Sequence, residues 1–283
     1  MFVRVLIILI AAVISAKAEP VGEVEVPFQF REGLLWVEVH CTQSREPLHF
    51  LLDTGAGVSV INLSTAKRMG LKLGRQVTVH SVEAMLTGYW QQHVSAKVGD
   101  VPLPSEYLAV DLEKLSGSCE RPVDGLVGAD FFRGRTVQID FEAQNIRLLK
   151  SDKLRRADGA LPLQLRSCGM RVPITVNGHK RQWVRLDTGC ASALQWVTSD
   201  VNRAECIGQK MAIGLVEVSI PQTLTTVGLA ENEFVKVPTG LHEKAIFPGE
   251  SGLLGNGLLA RFSAITIDAK AGRVFLRKRS SSQ

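Results

Sequence analysis

Asp53 and Asp187 each open the same tripeptide, Asp-Thr-Gly. An apolar run precedes both: His49-Phe50-Leu51-Leu52 leads into the first, and Trp183-Val184-Arg185-Leu186 into the second. An aspartate at the mouth of a tight turn between buried strands is a costly place for a carboxylate. Burial disfavours its charged form unless hydrogen bonds or a partner compensate. A single Asp-Thr-Gly is most simply a turn cap. Two in matching contexts call for a shared explanation, and chemistry offers one. Two carboxyls at hydrogen-bond distance cannot both ionise cheaply, so such a pair holds one proton over a wide pH range and titrates as a unit. The charged member can activate a water while the protonated member hydrogen-bonds a carbonyl and stabilises its developing charge. Neither a covalent intermediate nor a metal is required.

A second repeat strengthens the first. Asp124-Gly125-Leu126-Val127-Gly128 follows Asp53, and Ser251-Gly252-Leu253-Leu254-Gly255 follows Asp187. Both continue alike, through Thr136-Val137-Gln138-Ile139-Asp140 and Ala264-Ile265-Thr266-Ile267-Asp268 to Ile146-Arg147-Leu148 and Val274-Phe275-Leu276. From Asp140 onward the copies keep a constant offset of 128 residues. At this point the chain resembles the aspartic proteases, pepsin-like and retropepsin-like, whose signature is Asp-Thr-Gly followed by an apolar-apolar-Gly stretch. The resemblance covers about residues 26–278. It implies an all-β fold of two similar six-stranded-barrel-like acid protease lobes, related by a pseudo-twofold axis with a cleft between them. It also implies an aspartic endopeptidase acting on an extended polypeptide, with Asp53 and Asp187 catalytic.

The same resemblance assigns supporting roles. Thr54 and Thr188 would hydrogen-bond across to the opposite turn and hold the carboxylates coplanar. Gly55 and Gly189 let the backbone turn tightly behind each acid, and Gly128 and Gly255 pack beneath. In this family a β-hairpin flap closes over the substrate. Gln76–Val82 and Gln91–Val98 read as its two arms, with Thr87-Gly88-Tyr89-Trp90 at the tip. Tyr89 and Trp90 are then flap residues, or else an aromatic pair packing on the sheet. The matching region, about Gln209–Thr226, has no aromatic residue, as a one-flap pseudo-dimer would have. Pepsin-like members usually carry Ser or Thr after each Asp-Thr-Gly, whereas this chain has Ala56 and Cys190. Ala matches the retropepsin-like branch and Cys is unusual in either, so the chain reads as a fused, two-lobed relative of the retropepsins.

The elements that must position these residues follow from the rest of the chain. Its 283 residues, with 45% hydrophobic and 22% charged, describe a globular protein with enough apolar mass for a core in each lobe. Many short apolar runs separated by Gly, Pro and Asn suggest an all-β chain. Residues 1–18 are different. Arg4 precedes an apolar run from Val5 to Ile14, and Ala16-Lys17-Ala18 fits a small-x-small cleavage site, the pattern of a secretory signal peptide. The run is short for a membrane span, although an uncleaved anchor is the alternative. The lobes are expected over 19–150 and 161–278, with a charged linker over 151–160 and a solvated tail over 279–283. Ser64–Leu71 reads as a short helix with a Ser cap and a Gly stop. Met170–Gly178 reads as a hairpin arm ending in an Asn-Gly turn.

Little lies between Glu19 and the first strand, so a basic pro-segment of the pepsin-like type has no room. That favours a bacterial periplasmic or secreted protein. Removing Arg4 and Lys17 lowers the net charge from +5 to +3, which gives no reason to expect nucleic acid as a partner. Five cysteines cannot all pair internally. Cys41–Cys119 and Cys168–Cys206 bonds would leave Cys190 free, though connectivity does not follow from sequence. A Cys–His nucleophile at Cys190 is the rival chemistry, set against a buried inert thiol. His and Cys spacings match no zinc pattern, so no metal or other cofactor is expected. The rival function is a non-catalytic peptide-binding protein that kept the fold. An internal repeat predicts a monomer, with a homodimer pairing equivalent lobes as the alternative arrangement.

Overall fold

The computed structural model describes residues 24–81, 84–91, 93–150, 160–166, 169–199, 209–213, 216–247 and 249–280. The leader expected over 1–18, most of the linker, Cys168 and Cys206 lie outside them. The architecture is the all-β, two-lobed one that the repeat implies.

Each half folds the acid-bearing run by the same strand order. In the first, the order is Tyr107–Val110, Val60–Asn62, Gly125–Val127, Leu48–Leu52 and Leu34–Cys41. In the second it is Asn232–His242, Leu194–Val197, Gly252–Leu254, Gln182–Leu186 and Gly169–Val176. The strand that delivers each aspartate pairs in parallel with the Gly-apolar-apolar strand that follows it in sequence. Gly125↔Phe50 and Val127↔Leu52 match in one half, and Arg185↔Leu253 and Leu186↔Leu254 in the other. Strands covered on both faces read as continuous apolar runs rather than alternating ones. That accounts for Phe50, Leu51 and Leu52, all buried.

A six-stranded sheet joins the halves. Its order, Val24–Pro27, Asn145–Leu149, Thr136–Asp140, Phe262–Asp268, Arg273–Lys278 and Leu161–Pro162, takes three strands from each. The two central strands are repeat counterparts and run antiparallel, with Thr136 opposite Asp268 and Asp140 opposite Ala264. One buried cluster extends from Leu35, Leu52 and Val127 through Ile139 and Ile265 to Leu186 and Leu254, so the halves share a core.

Three local expectations are corrected. The hairpin pairs Gln76–Ser81 with Ala84–Gln91, running from Ser81↔Ala84 at the tip to Gln76↔Tyr89 at the base. Tyr89 and Trp90 therefore sit at the base and not at the tip, while Ala96–Val98 pairs with Val39–Cys41. The strand Tyr107–Val110 backs this base, with Ala109 opposite Tyr89 and Leu108 opposite Trp90. The two rings alternate across the strand, Tyr89 against the main core and Trp90 against the smaller cluster around Leu51, Val60 and Leu126. Covering one ring on each face is worth more than leaving both in a solvated turn. The helix Leu63–Arg68 is capped by Asn62, whose side chain accepts from Ser64 N–H, rather than by Ser64. Gly70, at φ 70°, does terminate it. Cys41 and Cys119 are free thiols, because Cys41 packs in the main core and Cys119 against the smaller cluster.

The Asn-Gly turn forms, with Asn177 at φ 49° and Gly178 at φ 70°. The hairpin Gln209–Ile213/Val216–Ile220 lies in the second half as a separate two-stranded sheet.

Candidate active site

Each aspartate leaves its strand with its main chain already held. Asp53 N–H donates to Val127 C=O and Asp187 N–H to Leu254 C=O, both at 2.9 Å. The turns that follow are tied down in the same way. Ala129 N–H reaches Ala56 C=O, and Asn256 N–H reaches Cys190 C=O, both at 2.8 Å.

The turns meet across the two halves, and the threonines fasten them. Thr54 Oγ1 donates to Leu186 C=O at 2.7 Å and accepts from Thr188 N–H at 3.1 Å. Thr188 Oγ1 donates to Leu52 C=O at 2.7 Å and accepts from Thr54 N–H at 3.0 Å. Both side chains are fully buried, so all four bonds form away from water. This crossing brings each glycine against the other aspartate. A Cβ on Gly55 would lie 2.5 Å from Asp187 Cγ, and one on Gly189 would overlap the Asp53 carboxyl. No larger residue fits either position.

Asp53 and Asp187 are thereby within hydrogen-bonding reach of each other. Their surroundings differ. Asp53 Oδ1 accepts from Gly55 N–H at 2.9 Å and Ala56 N–H at 3.0 Å. Asp187 Oδ1 accepts from Gly189 N–H at 2.9 Å; Cys190 N–H and Ala56 N–H each reach the main-chain carbonyl of their own aspartate at 3.3 Å, and only Ala56 N–H also reaches the carboxyl. Burial raises the Asp53 pKa, against the Ala56 amide, the Asp187 carboxyl, the Gly55 amide and the Arg185 charge, which lower it. Asp187 is pushed well above the usual carboxylate range, first by burial and then by the Asp53 charge, against the Arg185 charge and the Gly189 amide, which lower it. The pair is therefore built to hold one proton, and Asp53, with two amide donors on one oxygen against one on Asp187, has the greater hydrogen-bond support for its charged form.

Residues 38–131 match the family model described as aspartyl protease. Over those residues the chain is similar to the aspartyl proteases. The match takes in Asp53, its turn and the glycine-bearing strand beneath, and it ends before Asp187. No curated protein matches the chain. The second half of the chain is tied to the first by the repeated strand order and by the crossing of the turns.

Among the remaining sequence candidates, Tyr89 and Trp90 belong to the base of the hairpin, as described above. Cys190 is buried, and burial pushes its thiol up to about 12, helped by the Asp187 charge. Its Sγ lies 2.9 Å from Ser192 Oγ. His242, the histidine nearest by hydrogen bonds, contacts Gln195 Oε1 at 2.8 Å, and Gln195 Nε2 in turn donates to Ser192 Oγ. A thiol so held is no nucleophile.

Two residues escaped the sequence reading. Asn256 Nδ2 donates at 2.7 Å to both Gly33 C=O and Thr188 C=O, joining the second turn to the first half. Arg185 sits two residues before Asp187 and is buried. Its only sequence signal is a cation inside an otherwise apolar strand.

Proposed function

We propose that this protein is an aspartic endopeptidase that hydrolyses peptide bonds in extended polypeptides by a water activated between Asp53 and Asp187. One observation carries this reading: two buried carboxyls, each at the mouth of an Asp-Thr-Gly turn, face one another across a twofold junction and share an environment that favours a single proton. Asp53, with two amide donors on one oxygen, takes the proton of the attacking water as general base. Asp187, protonated, donates to the scissile carbonyl oxygen and stabilises the charge that develops there. The proton gained by Asp53 then passes to the leaving amine, and the dyad returns to its single-proton state.

The substrate is polypeptide, in keeping with the protease family. We propose a monomeric enzyme with both acids from one chain, exported to a bacterial periplasm or beyond it. The signal-like pattern of residues 1–18 supports export. Among the described residues, no helix is long and apolar enough to cross a membrane.

The test is incubation of the mature protein with unfolded casein and a peptide library across pH, with and without pepstatin. Pepstatin-sensitive cleavage at acid pH is expected. Tight peptide binding without cleavage would mark a binding protein that kept the fold.

A further inference from the structure

Arg185 stands where the first half has Leu51. Both precede their aspartate by two residues, and both are buried. A guanidinium taken out of water is costly unless its donors are met, so its partners are informative. Nη1 donates to Gly55 C=O at 2.9 Å, across the junction. Nη2 donates to Glu250 Oε1 at 3.0 Å, and the guanidinium carbon lies 3.9 Å from the Phe247 ring centroid. Glu250 is buried too and accepts a second cation, Arg171, whose Nη2 lies 2.9 Å from the same oxygen.

The Gly55 carbonyl belongs to the peptide unit whose other end is Ala56 N–H, and that N–H donates to Asp53 Oδ1 at 3.0 Å. A charged donor on the carbonyl polarises the unit and strengthens its amide as a donor, as in any hydrogen-bonded chain in a low-dielectric interior. Leu51 offers Asp187 nothing of the kind. The charges also balance: Arg185 and Arg171 against Glu250 leave one positive charge, matched by a dyad carrying one negative charge. The titratable and charged groups facing the dyad are Arg185, Cys190 and the two acids themselves. Arg185 in turn faces Glu250, which holds Arg171.

We propose that Arg185 is a positioning residue for the dyad: oriented by Glu250, it polarises the Gly55–Ala56 peptide and thereby holds Asp53, not Asp187, as the charged member. This rests on the endopeptidase reading above and adds to it the group that breaks the symmetry of two otherwise matching turns.

Two readouts test it: the acid limb of kcat/KM against pH, and carboxyl-carbon NMR of 13C-aspartate-labelled protein, which reports the dyad's lower apparent pKa without any activity. In Arg185→Met both should move upward by about one pH unit, because an adjacent cation that favoured the carboxylate is gone. Arg185→Lys keeps the charge and should shift less while losing kcat. Glu250→Gln leaves the arginine charges uncancelled and should move both readouts downward. Activity reduced evenly at every pH, with unmoved limbs and NMR titrations in folded variants, would overturn the proposal and leave Arg185 a structural brace. If Arg185→Met does not fold, the lysine and Glu250→Gln variants decide in the same way. A wild type that cleaves nothing defeats the endopeptidase reading, and the NMR titrations then decide the Arg185 proposal separately.

Discussion

Gln138 lies opposite Thr266, its own counterpart in the second half, and its Nε2 donates to Thr266 Oγ1 at 3.0 Å. The axis relating the halves therefore passes between these two side chains, in the middle of the sheet that joins them. A homodimer of single lobes would form this contact between chains; here one chain supplies both sides. We expect sedimentation to give the mass of one chain, with activity per mole independent of protein concentration. Activity that tracked an obligate dimer would contradict this.

Asp53→Asn and Asp187→Asn should each abolish cleavage, by at least about a thousandfold in kcat, with unchanged far-UV spectra. Each carboxyl has a separate role in one reaction, so neither can be spared. Near-wild-type activity in either variant would remove that aspartate from the chemistry.

Stability should respond to pH with a definite sign. Both carboxyls have folded-state pKa values above the unfolded ones. Such a group binds its proton more tightly when folded. Its contribution is complete below the unfolded value, about 3.9, and is lost as pH rises through the folded one. Asp187→Asn keeps the shape and cannot ionise. Its melting temperature should match wild type at about pH 3.5 and exceed it at pH 7 by a few degrees, at roughly 2–4 °C per kcal/mol for a chain of this size. An asparagine variant less stable at pH 7 would mean that the folded site favours the doubly charged pair.

Thr54→Val and Thr188→Val each strand a buried carbonyl and a buried amide on the opposite turn. Each should cost about 1–3 kcal/mol in denaturant unfolding and depress kcat by misplacing the acids. The double variant should cost less than the sum, because both hydroxyls serve one network. Serine at either position should restore most of the loss, and a strictly additive double variant would show that the two turns are held independently.

Activity should peak at mild acidity, roughly pH 4–6, above the range that a low pepsin-type dyad pKa permits. Ala56 brings no hydroxyl to Asp53, and the Cys190 thiol is engaged with Ser192, so neither carboxylate gains a hydroxyl donor from the residue after its Asp-Thr-Gly to lower its pKa. Ala56→Ser with Cys190→Ser should move the acid limb downward in a pH–rate profile. An unmoved limb in an active double variant would leave the dyad's pKa to other groups.

The two aspartates, their glycines and the pairing of the halves were legible in the sequence because the fold uses them twice. A duplicated turn must repeat its acid, the residue that lets the chain bend behind it and the small residue on which it packs. The offset between the copies is a linear quantity that survives without coordinates. Strand Thr136–Asp140 and its counterpart likewise announce themselves as one repeated alternation, in which Val137 and Ile139 match Ile265 and Ile267 and all four are buried.

The hairpin was legible as a pair of arms but not as a register. Tyr89 and Trp90 fit equally well at a tip or on an arm, and what placed them was the third strand behind them, Tyr107–Val110, whose neighbour the sequence does not name. The Cys41–Cys119 pairing failed for a similar reason, since proximity in a list of thiols is not proximity in space. Arg185 was the least legible of all. Its meaning depends on a carbonyl 130 residues before it and a carboxylate 65 residues after it. A repeat reveals what the two halves have in common. The asymmetry that separates one acid from the other arises only where the halves touch, from unlike side chains meeting across the junction, and only the tertiary structure decided it.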